Sequence, residues 1–225
     1  IGNEIINGML WPDGKIPDNW DNLAELIQAG INGVDAGRGN LPRPTIMIHI
    51  DQGANKARTK YFFDKWHSYG IDYDVIGQSY YPWWHGTLLD LRENLIFMAE
   101  TYRKEIILVE VAYNCEPAEY QNKLAPFPET PEGQRDFLDE VNRIVLDTPH
   151  NLGKGIFWWE PATRRGGQRT LFDREGKGGG FRRGEIEIQR LPPGDPFADG
   201  SDGGVGALEP KGRLEGAWRG GGRPP

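Results

Sequence analysis

The chain has 225 residues, enough for one domain or one and a half. Hydrophobic residues make up 37%, charged residues 26% and aromatic residues 11%, a globular composition, and the net charge of −7 argues against nucleic acid as a partner. A single cysteine, Cys115, excludes an internal disulfide framework, and no apolar run approaches the roughly 20 residues of a membrane span.

In chain order, a short strand is expected to end at Glu4. A helix follows, with Trp20, Leu23, Ile27 and Ile31 at helical spacing and Asp18 as its expected cap. Thr45–Ile50 is a nearly continuous apolar run after a Pro-rich turn and reads as a strand. Phe62, Trp66 and Tyr69 mark the next helix, and Asp74–Tyr80 the next strand. Leu88, Leu91, Leu95, Met98 and Tyr102 mark a third helix. Ile106–Val111 is the clearest strand of all. Thr130-Pro131-Glu132 opens a fourth helix, with Thr as cap and Pro at the first helical position, and Gly155–Glu160 reads as the last strand. Short apolar runs bounded by turn residues suit strands buried on both faces. The alternation therefore predicts an α/β fold with a parallel sheet. Neither a GxGxxG turn nor a GxxxxGK[ST] loop is present, so nothing supports nucleotide binding.

From Ala162 onward the composition changes. About half of the glycines lie there, and basic residues slightly outnumber acidic ones. Such a stretch cannot bury a core and reads as disordered, linker-like or not native. Its arginines are not interleaved with aromatics, so an RNA-binding role is not expected. The ordered domain is expected at residues 1–176, with a Gly/Arg/Pro-rich tail at 177–225.

Polar and aromatic residues gather at the C-terminal ends of the expected strands: Asn3-Glu4, His49 with Asp51, Ser79-Tyr80-Tyr81, Glu110 and Trp158-Trp159-Glu160. In a (β/α)8 barrel that is the face on which active sites form. Glu4 and Glu110 stand about three βα units apart, at about 30 residues per unit, which lets their carboxylates converge. Two convergent carboxylates can break a glycosidic bond, one protonating the leaving oxygen and the other attacking the anomeric carbon. An Asn amide beside the acid suits a sugar 2-OH, and exposed tryptophans suit apolar sugar faces.

The segments Gly2-Asn3-Glu4-Ile5 and Gly8-Met9-Leu10-Trp11-Pro12-Asp13-Gly14 resemble those of arabinogalactan endo-β-1,4-galactanases, glycoside hydrolase family 53 of clan A. Ser79-Tyr80-Tyr81-Pro82-Trp83-Trp84-His85-Gly86-Thr87-Leu88, Val109-Glu110-Val111-Ala112-Tyr113 and Gly155-Ile156-Phe157-Trp158-Trp159-Glu160-Pro161 carry the resemblance onward in the same order. The Asn-Glu pair is shared across the clan, whereas the WPDG and SYYPWWHGTL segments are specific to galactanases.

The resemblance implies a (β/α)8 barrel of which this chain holds about strands four to eight. It implies a secreted, retaining enzyme that cuts internal β-1,4-galactosyl bonds in type I arabinogalactan, the side chains of pectin. Glu4 would be the acid/base after strand four and Glu110 the nucleophile after strand seven. Asn3 would bind the sugar 2-OH, and His49, Asp51, Tyr80 or Tyr81, Trp84, His85 and Trp159 would line the groove. Which of the two tyrosines faces the nucleophile is open from the residues.

Some bacterial members bind calcium after strand eight. Here that loop, Ala162–Arg169, is short and basic, so no metal and no cofactor is expected. The expected partner is the polysaccharide, with no nucleic acid, no membrane and no second subunit. His67 and His150 read as ordinary solvated residues. Strands one to three, and the strand-two arginine that clan members place near the nucleophile, have no counterpart, so the chain is expected to be a fragment with poor activity or solubility. A mannanase- or xylanase-like β-glycanase of the same clan, or an inactive carbohydrate-binding fragment, are the alternatives. The presence of both carboxylates argues against the last.

Overall fold

The computed structural model describes residues 1–118, 125–162 and 168–172, all within the compact unit Ile1–Arg183. The expected tail at 177–225 lies outside the described residues.

The chain opens without a strand. Gly2 and Glu4 both adopt left-handed backbone (φ 77° and 49°), which breaks the extended run expected to end at Glu4. Instead the Ile1 ammonium donates to the Met47 carbonyl at 2.8 Å, and Ile5–Asn7 form a single 3-10 turn that buries Ile5 and Ile6. A small antiparallel pair follows, β1 (Gly8–Met9) with β2 (Gly14–Lys15). Sequence alternation does not announce these two-residue strands.

Helix α1 (Trp20–Gly37) buries Trp20, Leu23, Ala24, Ile27 and Ile31, the stripe that the sequence spacing indicates. Its N-cap is Asn19 rather than Asp18. The Asn19 amide donates to the Pro12 carbonyl at 3.0 Å, and the Asn22 amide to the Asp13 carbonyl at 2.9 Å. The first turn of α1 is thereby tied to the β1–β2 loop.

Strand β3 (Met47–Ile50), helix α2 (Lys56–His67), strand β4 (Val75–Tyr80), short helix α3 (Pro82–His85), helix α4 (Leu88–Tyr102), strand β5 (Glu105–Val111), helix α5 (Pro131–Leu146) and strand β6 (Gly153–Trp158) complete the order. The sheet runs β3-β4-β5-β6, every pair parallel, with a helix in each crossover. The parallel sheet is thus four-stranded among the described residues, not five-stranded. Tyr69 lies just past the end of α2, and α3 had no signal of its own.

Two helix starts follow from local chemistry. Thr87 and Asp90 form a reciprocal capping box at α4, and the Thr130 hydroxyl accepts from the Gly133 N–H at α5, with Pro131 in the first turn. On the helical side, Trp66, Phe62, Phe63, Tyr73, Ile48, Ile76, Leu108 and Phe137 are fully buried in one core. The Phe137 ring stacks on Tyr113 at 4.5 Å between ring centres and on Tyr80 at 6.3 Å. The opposite face of the sheet is more open. Met47, Ile107 and Val109 are half-buried there, and Phe157 of β6 is 62% exposed.

Candidate active site

A slip in the ladder between β4 and β5 decides where Glu110 points. Gly77 pairs with Ile107 and Gln78 with Leu108, but Ser79 pairs with Glu110, leaving Val109 as an extra residue on β5. Directly paired residues share a face, and His49 pairs with Gly77 in the same way. His49, Gly77, Ser79 and Glu110 therefore all lie on the open face. Without the bulge, strict alternation would carry Glu110 to the side of Ile106 and Leu108, which are buried in the core.

The strand ends then bring together residues far apart in sequence. A carboxylate oxygen of Glu4, one of Glu110 and a ring nitrogen of His49 all lie within 4.8 Å of one another. The two carboxylates come from an irregular opening segment and the end of β5, and the imidazole from β3. Glu4 holds its place through left-handed backbone on a non-glycine residue, the kind of strain that collects at functional sites.

Tyr81 is the tyrosine that reaches Glu110: its hydroxyl donates to Glu110 Oε2 at 2.8 Å. Tyr80 does not line this site. Its ring is fully buried against Phe137 and its hydroxyl donates to the Gly86 carbonyl at 3.1 Å, because Tyr80 sits on the helix-packed face of β4. The tyrosine pair is split by the pleat.

Both histidines are held from behind by Ser79. His49, 7% exposed, has Nε2 2.7 Å from Ser79 Oγ, and His85 has Nδ1 3.1 Å from the Ser79 carbonyl. Burial lowers the pKa of each, against a smaller upward pull from Glu4, so both imidazoles are neutral near pH 7. Burial raises the Glu110 carboxyl above its ordinary value. The Tyr81 hydrogen bond pulls it back, and the charges of Glu4 and Asp51 push it further up. Asp51 is raised as well, chiefly by burial, with Arg58 opposing.

Tryptophans rim the site in divided pairs. Trp83 is buried and stacks on Tyr113, while Trp84 is 46% exposed with its ring 5.7 Å from Tyr81. Trp159 is 45% exposed, and its backbone N–H donates to the Val111 carbonyl at 2.8 Å, which fixes it beside the end of β5. Asn3 is exposed next to Glu4. Sequence reasoning gave no role to two further groups. Ser79 orients both histidines. The Arg169 guanidinium lies 5.6 to 5.7 Å from the rings of Tyr81, Trp83 and Trp84, a cation–π arrangement that no local motif signals. Part of the loop considered for calcium, residues 163–167, lies outside the described residues.

Of the residues expected at the site, Glu4, Glu110 and His49 thus approach one another, and Tyr81 is hydrogen-bonded to Glu110. Asp51 is coupled to both glutamates through their charge, and His85, Trp84 and Trp159 flank the group. No helix among the described residues is long and apolar enough to cross a membrane.

The chain is similar to known proteins in sequence and in fold. The family model for glycosyl hydrolase family 53 matches residues 1–181. A probable arabinogalactan endo-β-1,4-galactanase A of Aspergillus fumigatus is 39% identical over 173 residues, covering 72% of this chain and 48% of the relative. The chain spans about half the length of the curated relatives it matches. Among solved structures, one from a study of two fungal β-1,4-galactanases superimposes with a TM-score of 0.68 at 32% identity, over 79% of this chain and 57% of the other. The family 53 catalytic domain from Ignisphaera aggregans gives 0.70 at 27% identity, over 80% and 55%. The four parallel strands are therefore part of a (β/α)8 barrel, and the chain belongs to glycosyl hydrolase family 53.

Proposed function

We propose that the site hydrolyses internal β-1,4-galactosidic bonds of type I arabinogalactan with retention of configuration. The observation that carries this reading is the approach of Glu4 and Glu110, whose nearest carboxylate oxygens lie within 4.8 Å. Retaining glycosidases hold their two carboxyl groups about 5–5.5 Å apart, and inverting enzymes leave a wider gap for water. The galactanase relatives supply the substrate class.

In this reading Glu110 attacks the anomeric carbon and forms a glycosyl ester, while Glu4 gives its proton to the leaving oxygen. Glu4 then takes a proton from the water that cleaves the ester. The Tyr81 hydroxyl stabilises the ionised nucleophile before attack. Burial and the charges of Glu4 and Asp51 raise Glu110, and the Tyr81 hydrogen bond is the influence that favours its ionised form.

Asn3 binds the sugar 2-OH, and neutral His49 and His85 offer hydrogen bonds to hydroxyls. Trp84 and Trp159 take the apolar faces of the sugar rings. The working unit in this reading is a monomer. A polymer too large to enter a cell places the reaction outside it, which fits a secreted protein acting on pectin side chains.

Incubation of the chain with β-1,4-galactan, mannan and xylan tests the proposal. Galacto-oligosaccharides released from galactan alone, above the background of a Glu110→Gln variant, are expected. Release from mannan or xylan, or none above that background, overturns it.

A further inference from the structure

The same three groups that approach one another at the strand ends form a metal-donor set. Glu4 and Glu110 offer one carboxylate oxygen each and His49 one ring nitrogen, all within 4.8 Å. Each comes from a different segment, so the set is fixed by the fold. We propose that this trio binds a borderline divalent cation of the Zn2+ type, and that the bound cation excludes the sugar.

Zn2+ takes oxygen and imidazole nitrogen at about 2.0–2.2 Å, commonly with three protein ligands and a water. Drawing the donors, already within 4.8 Å of one another, onto one ion needs only a small side-chain movement, and both glutamates are half-buried. The Ser79 hydroxyl lies 2.7 Å from His49 Nε2 and orients the imidazole. Asp51 adds negative charge near both glutamates.

Donor chemistry selects the ion. Imidazole suits Zn2+, Cu2+ or Ni2+, whereas Ca2+ takes six to eight oxygens and Mg2+ binds chiefly through carboxylates and waters. An ion here would engage both glutamates, so neither could act on a glycosidic bond. This inhibition rests on the hydrolase reading; the binding itself does not.

Calorimetric titration of the full chain with ZnCl2 in a non-chelating buffer tests the site. Saturable uptake of one Zn2+ is expected, weakened at least tenfold in Glu110→Gln, in His49→Gln and in Glu4→Gln. Glu4 lies on an irregular surface segment, so that variant remains informative where a strand variant fails to fold. His150→Ala, which alters the exposed His150–Glu100 pair, is expected to bind as the native chain does. No uptake, uptake that the trio variants leave within tenfold, loss in His150→Ala, or equal affinity for Ca2+ overturns the proposal. On any galactan hydrolysis observed, one equivalent of Zn2+ is expected to abolish it and a chelator to restore it. Binding without hydrolysis would leave the metal site standing and sink the hydrolase reading.

Discussion

The Tyr81 hydroxyl sits 2.8 Å from Glu110 Oε2 and donates to it, and the same ring lies edge-on to Trp84 and His85. One side chain thus joins the carboxylate to its aromatic surroundings. Its hydrogen bond works against burial and against the charges of Glu4 and Asp51, all of which raise the Glu110 pKa. Removing it with Tyr81→Phe leaves those upward influences unopposed. As the proposed nucleophile Glu110 must be ionised, so activity is expected to fall as pH drops through its pKa. In Tyr81→Phe that acid limb is expected to move to higher pH, with kcat/KM reduced by about ten- to a hundredfold, the usual worth of one charge-assisted hydrogen bond. A pH profile of kcat/KM for the two proteins checks it; an unmoved limb would count against the role given to Tyr81.

Glu110→Gln is expected to lower galactan hydrolysis by about 10³-fold or more. It should also raise the thermal midpoint at pH 7. The sign follows from linkage. A carboxyl whose folded pKa lies above its unfolded value costs stability once pH exceeds the unfolded value, and the cost is relieved as pH falls through the folded pKa. The gain from Glu110→Gln should therefore be present at neutral pH and vanish in acid. Differential scanning calorimetry at several pH values reads both ends of that window.

Exposed Trp84 and Trp159 contribute little to the core, unlike Trp83 and Trp66. Trp159→Ala is expected to raise KM for galactan several-fold while shifting unfolding by less than about 0.5 kcal/mol, the usual range for surface substitutions. Trp66→Ala, by contrast, should cost about 3–5 kcal/mol, as for other buried aromatics, and leave no folded protein to assay at raised temperature. Urea unfolding of the two variants distinguishes surface from core.

The α4 capping box offers a stability prediction remote from the chemistry. Thr87→Ala removes the hydroxyl that accepts from the Asp90 N–H and donates to its carboxylate, and should cost about 1 kcal/mol. Denaturant titration measures it. No change would mean that the helix start is fixed by packing alone.

Much of the fold was legible because the strands of a parallel sheet are short, apolar and punctuated. Met47–Ile50 and Val75–Tyr80 fall inside the runs that the sequence marks, Glu105–Val111 exceeds its run by one residue, and the Thr130-Pro131 start of α5 is where the cap rules put it. The strand expected at Glu4 fails at Gly2 and Glu4, whose left-handed backbone has no signature in hydrophobic pattern. Asp18 loses the capping position to Asn19 because the β1–β2 loop, a tertiary partner, engages that residue.

The site was legible as a set of strand ends but not as a geometry. Tyr80 and Tyr81 cannot be told apart by residue type; the pleat of β4 separates them. The facing of Glu110 depends on a one-residue bulge at Val109 that period-two counting would miss. Arg169 approaches the aromatic cluster from a distant segment, and no spacing rule connects it to Tyr81.

The most direct measurement of the central claim, that Glu110 is the nucleophile of a retaining pair with Glu4, is to trap the glycosyl ester. The chain is treated with a 2-deoxy-2-fluoro galactosyl inactivator, digested and read by mass spectrometry, which needs only a single turnover. A galactosyl-sized mass increment on the peptide holding Glu110, absent in Glu110→Gln, is predicted. Label on Glu4, or on no carboxylate at all while galactan is still hydrolysed, would contradict it.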